Sequence, residues 1–110
     1  MANPLRGEVE LKAGERTYIL RYTTNALVEL EERTGRSVMD IANNPSFRDA
    51  RALVWAGLIH ANPDLTLEQA GEIMDAAGFT EAIQAASQAL QKAFGRAAEG
   101  NLGEGAARSA

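Results

Sequence analysis

Cysteine is absent from this 110-residue chain. That excludes disulfide staples, thiolate zinc sites and cysteine nucleophiles together, and it suits a reducing cytoplasm. Histidine occurs once, as His60. General-base catalysis needs an oriented partner and a nucleophile beside the base, and no motif supplies either, so His60 reads as a helix-end capping or surface residue. Aromatic residues make up 5% of the chain, and the bases neither cluster on one helix nor interleave with those aromatics. The phosphate-contacting footprint of a nucleic-acid binder is therefore missing. No apolar run approaches the roughly 18 residues of a membrane span, and the N-terminus lacks the apolar core of a secretory signal. The glycines fall into neither standard phosphate-cradling spacing, and no serine elbow or Ser-His-Asp arrangement can be argued. The expectation is a protein without catalytic residues, cofactor, bound metal, nucleic-acid partner or membrane partner.

The net charge of −4 is unevenly placed. Residues 1 to 51 balance acids and bases, whereas residues 52 to 91 carry Asp64, Glu68, Glu72, Asp75 and Glu81 and no lysine or arginine. Such a middle section either keeps a helix face solvated or steers a basic protein partner toward it. Asp64, Glu68 and Glu72 are spaced four apart and on one helix face would present three carboxylates. A hard cation wants several converging oxygens from a glycine-turned loop, so a solvated helix start is the plainer reading.

What is present is pattern. Val9 and Leu11 alternate with Glu8, Glu10 and Lys12, and Tyr18, Leu20 and Tyr22 alternate with Thr17, Ile19 and Arg21, the two-residue period of half-buried strands. Ala13-Gly14-Glu15 supplies the turn between them. Thr23-Thr24-Asn25 then offers caps for a helix with Ala26, Leu27 and Leu30 on its dry side, which Gly35 stops. Ser37 and Ser46 each precede an acid by three residues, predicting a short helix that ends at Asn44-Pro45 and a longer one running to about Ala61. Thr66 opens a helix striped by Leu67, Ala70, Ile73, Met74 and Ala77 and closed by Gly78. Thr80 is the expected cap of a last helix striped by Ile83, Ala86, Leu90, Ala93, Phe94 and Ala97.

The order of two strands and about five helices, without alternation, predicts an α+β, mainly helical domain in which an N-terminal β-hairpin packs on a small bundle. The globular domain is placed at residues 1 to 98, with the hairpin over 7 to 22 and helices over about 24 to 98. Residues 99 to 110, glycine-rich and aperiodic, are expected to form a flexible tail. At this length one modest core is all the chain can build. A lone hairpin needs cover, from helices of the same chain or from a second copy pairing along its open edges.

The stretch Ala52 to Ile59 holds eight residues without charge or strong polarity, so it is either the central helix or a helix with one side open to a partner. Trp55, Phe94 and Phe47 can each anchor a core or an interface, the core being the commoner role.

The first 35 residues carry a family resemblance. Ala2-Asn3-Pro4, Gly7-Glu8-Val9 and Leu11 are followed by Gly14, Arg16, Tyr18, Leu20-Arg21 and Thr23, then by Asn25-Ala26-Leu27, Glu29-Leu30-Glu31 and Thr34-Gly35. In this order the chain resembles small proteins of the tail-gene clusters of bacterial gene transfer agents and long-tailed phages. These are grouped as tail assembly chaperones and are sometimes labelled tail tube proteins. The resemblance runs over about residues 2 to 95 and weakens after the first 35, where helical pattern and length carry it.

It implies a cytoplasmic protein of a bacterial host that binds the tape measure protein, keeps it soluble and hands it to polymerising tail tube subunits. Such a protein is expected to be absent from the mature particle, whether gene transfer agent, prophage or phage. The implied recognition is helix-in-groove. No site motif comes with the family, so exposed-apolar reasoning selects Trp55, Leu58 and Ile59 from the central helix, with Leu90 and Phe94 from the last. The alternative is a structural tail tube or tail-associated subunit, although tube-forming domains are usually richer in strands.

Overall fold

The alternation of residues 9 to 20 becomes a two-stranded antiparallel sheet in the computed structural model. The model describes the backbone of residues 2–109 and the side chains of residues 2–95 except Pro4. Strands β1 (Val9–Ala13) and β2 (Arg16–Leu20) pair with Val9 opposite Leu20 and Leu11 opposite Tyr18, which puts the apolar set on one face. Ala13 pairs with Arg16, so the turn is the two residues Gly14-Glu15, one shorter than expected. Gly14 has φ 65°, and a positive φ at the first turn position alone matches the turn that follows strand twist.

Five helices follow: α1 (Thr24–Thr34), α2 (Val38–Asn43), α3 (Phe47–Leu58), α4 (Leu67–Ala77) and α5 (Phe79–Ser109). The side-chain caps read from the sequence hold in four of them. Thr23, Ser37, Ser46 and Thr66 each accept from the backbone N–H three residues on, and Thr66 and Gln69 complete a reciprocal capping box. Gly35 ends α1 with φ 70°. Three boundaries differ from expectation. Helix α3 stops at Leu58 rather than Ala61: the Gly57 carbonyl accepts from the Arg21 N–H of the hairpin segment, and the chain closes in a last turn in which the Leu58 carbonyl accepts from Ala61 N–H, Asn62 N–H and the Asn62 side chain. Thr80 lies inside α5 instead of capping it, since the Ala82 N–H already bonds the Gly78 carbonyl and starts the helix at Phe79. Helix α5 also runs on past residue 98, its backbone continuing to Ser109 through the stretch expected as a tail, residues 99 to 110, whose side chains lie outside the described ones.

Helix α3 is the central element. It packs on α1, α2, α4, α5 and β2, and from Ala52 to Leu58 every residue is buried. Leu20, Leu30, Ile41, Val54 and Leu58 are the largest fully buried side chains, each worth about 1.5–3 kcal/mol of transfer free energy. The dry face of α5 is alanine (Ala82, Ala85, Ala86 and Ala89) with Leu90. Small residues let α5 lie close against β1, α3 and α4. Ile83 and Ala93, expected on that stripe, pack only at its margin.

The hairpin is fastened to α3 near the helix's C-terminal end. Gly57 meets β2 there without room for a side chain: a Cβ would lie 2.7 Å from Leu20 Cδ2 and 3.0 Å from Tyr22 Cζ. The Tyr22 hydroxyl donates to the Leu53 carbonyl at 2.6 Å, and the Arg21 N–H donates to the Gly57 carbonyl at 2.8 Å. Burial pushes the Tyr22 phenol well above its ordinary pKa. His60 Nε2 lies 2.8 Å from the Ile19 carbonyl. A carbonyl only accepts, so this nitrogen carries the proton of the bond, and His60 closes that part of the β2 edge.

Candidate functional site

The opposite end of α3 is left uncovered. Ser46 caps the helix, which makes Phe47 its first residue. A side chain at that position leans back past the helix end, beyond the turns that pack on the core. Phe47 is 80% exposed. Phe79 is likewise the first residue of α5, set by Gly78 with φ 98°, and is 41% exposed. The two rings meet edge to face with centroids 5.3 Å apart, a favourable arrangement of ring quadrupoles.

These rings form a ridge between two hollows. One, of about 320 Å³, is lined by Pro45, Ser46, Ala50 and Ile83 as well as both rings. The other, of about 560 Å³, adds Met74, Arg51, Gly71, Glu68, Glu72 and Asp75. Gly71 lets the stem of Arg51 cross α4: a Cβ there would come within 3.3 Å of Arg51 Cδ. Among the described residues Arg51 Nε is buried without an acceptor. Glu68, Glu72 and Asp75 occupy one exposed side of α4, and no salt bridge to them occurs among the described residues. The groove is thus apolar in its walls and acidic along one rim, with Arg51 its single base.

A guanidinium holds the first turn of α3 in place. Arg36 pairs with Asp49, whose side chain is buried, and also donates to the carbonyls of Asp40 at 3.1 Å and Asn44 at 3.3 Å. One side chain therefore ties the end of α2 to the start of α3. Burial by itself would raise the pKa of Asp49. The hydrogen bonds from Arg36 and Ser46, with the charge of Arg36, more than offset it and hold the carboxyl below its ordinary value.

The residues selected from the sequence are placed otherwise. Trp55 is 4% exposed, donates its indole N–H to the Leu65 carbonyl at 2.8 Å and is covered by the Arg33 guanidinium 4.8 Å from the ring. Leu58 and Leu90 lie in the same core cluster, and Ile59 packs half-buried against it. Only Phe94 is on the surface, at 38% exposure. Phe47, for which a core role was the commoner expectation, is the most open aromatic, and Phe79 was not singled out. The available signal was position: each is a bulky ring at the first residue of a helix, outside either helix's stripe. Asp64 lies before the Thr66 cap and so does not share the α4 face with Glu68 and Glu72; Asp75, one turn on, continues that row instead. Among the described residues no group of three histidine, aspartate or glutamate side chains gathers as a metal site would require. No helix among them is long and apolar enough to cross a membrane.

The chain belongs to a family of phage and gene transfer agent tail proteins, described as "Phage tail tube protein, GTA-gp10", whose model matches residues 6–96. No curated protein and no solved structure matches the chain.

Proposed function

We propose that this tail-family protein is a tail assembly chaperone, a binding protein rather than an enzyme, that holds the tape measure protein in the host cytoplasm while tail tube subunits assemble. The observation that carries this reading is the aromatic groove. An exposed Phe47–Phe79 ridge with hollows on both sides, on a mainly helical frame, suits capture of an amphipathic helix. Exposed aromatics of this size on a small domain are more telling than scattered surface leucines. In this reading the protein leaves before the particle matures.

The test is co-expression with the tape measure protein of the same gene cluster, with the tail tube subunit as parallel bait, followed by pull-down and size-exclusion chromatography. Soluble co-purification with the tape measure protein supports the chaperone. The family's own description favours a second reading, a structural tail tube or tail-associated subunit. Binding to the tube subunit alone, self-assembly into rings, or stoichiometric presence in purified particles by mass spectrometry would replace the chaperone reading with that one. The two-stranded sheet supplies little of the strand-to-strand joining on which tubes usually rely.

A further inference from the structure

Resting on the chaperone reading, we propose that the Phe47–Phe79 groove takes an amphipathic tape measure helix whose apolar anchors are flanked on one side by lysine or arginine. The shape argument comes from the ridge. Successive anchors on a helix stand one turn, about 5.4 Å, apart, and the two hollows that share both rings as lining give two such anchors a seat each. Pro45, Ala50 and Ile83 receive one anchor, and Met74 underlies the other.

Charge decides among occupants. Glu68, Glu72 and Asp75 run beside the second hollow without a basic partner among the described residues. Residues 52 to 91, which supply α4 and most of the groove, contain no lysine or arginine. A second copy docking groove to groove would bring two carboxylate rows into one interface, since a two-fold contact uses the same patch twice, with only Arg51 of each groove to offset them. Anionic lipid or nucleic acid would meet the same repulsion. A basic flank satisfies the row, which no lysine or arginine of α4 or α5 up to residue 91 can do.

The full chain is tested with two probes. One is the tape measure protein in overlapping fragments. The other is a pair of synthetic amphipathic peptides of about 20 residues, long enough to be helical, with the same apolar face and either lysine or glutamate flanks. Photo-crosslinking benzoylphenylalanine replaces Phe47, or Val28 on α1 as the control exposed position.

The expected result is crosslinking from position 47 and not from 28, to fragments rich in lysine or arginine and to the lysine-flanked peptide only. Phe47→Ser is expected to weaken binding about tenfold. The triple variant Glu68→Gln, Glu72→Gln, Asp75→Asn is expected to weaken it about fivefold at low salt and to flatten its salt dependence. Both alter exposed side chains, and an unchanged circular dichroism melt shows that the fold is kept. Tape measure binding that neither variant changes, with crosslinks from 28, overturns this groove while leaving the chaperone standing. Crosslinking of the lysine-flanked peptide at 47 with no fragment bound keeps the groove's chemistry and removes the chaperone. Equal binding of both peptides overturns the charge rule.

Discussion

The two ends of α3 are built for opposite purposes. Its C-terminal half is enclosed: Gly57 lies against β2, the Tyr22 hydroxyl bonds the Leu53 carbonyl, and Trp55 is roofed by Arg33. Its N-terminal turn is held by Arg36 and Asp49 yet exposes Phe47. One helix thus fastens the sheet to the bundle at one end and presents an aromatic ridge at the other. Substitutions toward the C-terminal end, and at the Asp49 that anchors the first turn, should be read in stability, and substitution of Phe47, on the proposed function, in binding.

The largest break in that contrast is Trp55→Glu. It buries a carboxylate and strips the Leu65 carbonyl of its donor, at a cost of about 4 kcal/mol or more. Against a total of about 5–15 kcal/mol, that removes from about a quarter to most of the stability, so the circular dichroism melt should fall far below that of wild type. Retention of a wild-type melt would place Trp55 outside the core. Gly57→Val follows, because the added carbons collide with Leu20 and the Tyr22 ring; a loss of about 2 kcal/mol should appear as a lower urea midpoint.

Asp49→Asn should cost about 1–2 kcal/mol through its weakened bond to Arg36, discounted because Arg36 is partly solvated. The pH dependence has a definite sign. The folded carboxyl titrates below its unfolded value of 3.8, so on acidification the unfolded chain takes up the proton first. This contribution is complete above 3.8 and fades as the pH falls toward the lower folded value. A series of melts should show a shallower acid limb for the Asp49→Asn variant than for wild type. The smallest effect is Phe47→Ser, expected to leave the melt within about 0.5 kcal/mol of wild type. A large loss would mean that the ridge is structural after all.

Much of the fold is legible from local chemistry. Thr23, Ser37, Ser46 and Thr66 are short polar side chains before apolar runs, and Gly35 and Gly78 are glycines where the stripes end; each acts within a few residues of itself. Boundaries set by distant or competing bonds were not legible. The stop of α3 at Leu58 depends on which N–H groups reach the Gly57 and Leu58 carbonyls, and the start of α5 at Phe79 on Gly78 accepting from Ala82.

The groove was hidden for a related reason. Composition marks Ala52 to Ile59 as apolar without saying how many sides neighbours cover, so Trp55 and Leu58 looked available. Phe47 and Phe79 are 32 positions apart, and only the junction of α3, α4 and α5 brings their rings together. The acidic row was visible as a charge bias, though its true members exclude Asp64, which the Thr66 cap leaves off the helix.

Trp55 is the only tryptophan in the chain, and its surroundings make it a built-in optical probe of one process alone. Sealed between Arg33 and the Leu65 carbonyl, its emission should shift toward the red when the core opens. Eight residues along α3, about 12 Å at 1.5 Å per residue, separate it from Phe47. A partner filling the groove should therefore leave its fluorescence almost unchanged, so folding can be followed by light in the same cuvette in which binding is followed by another signal.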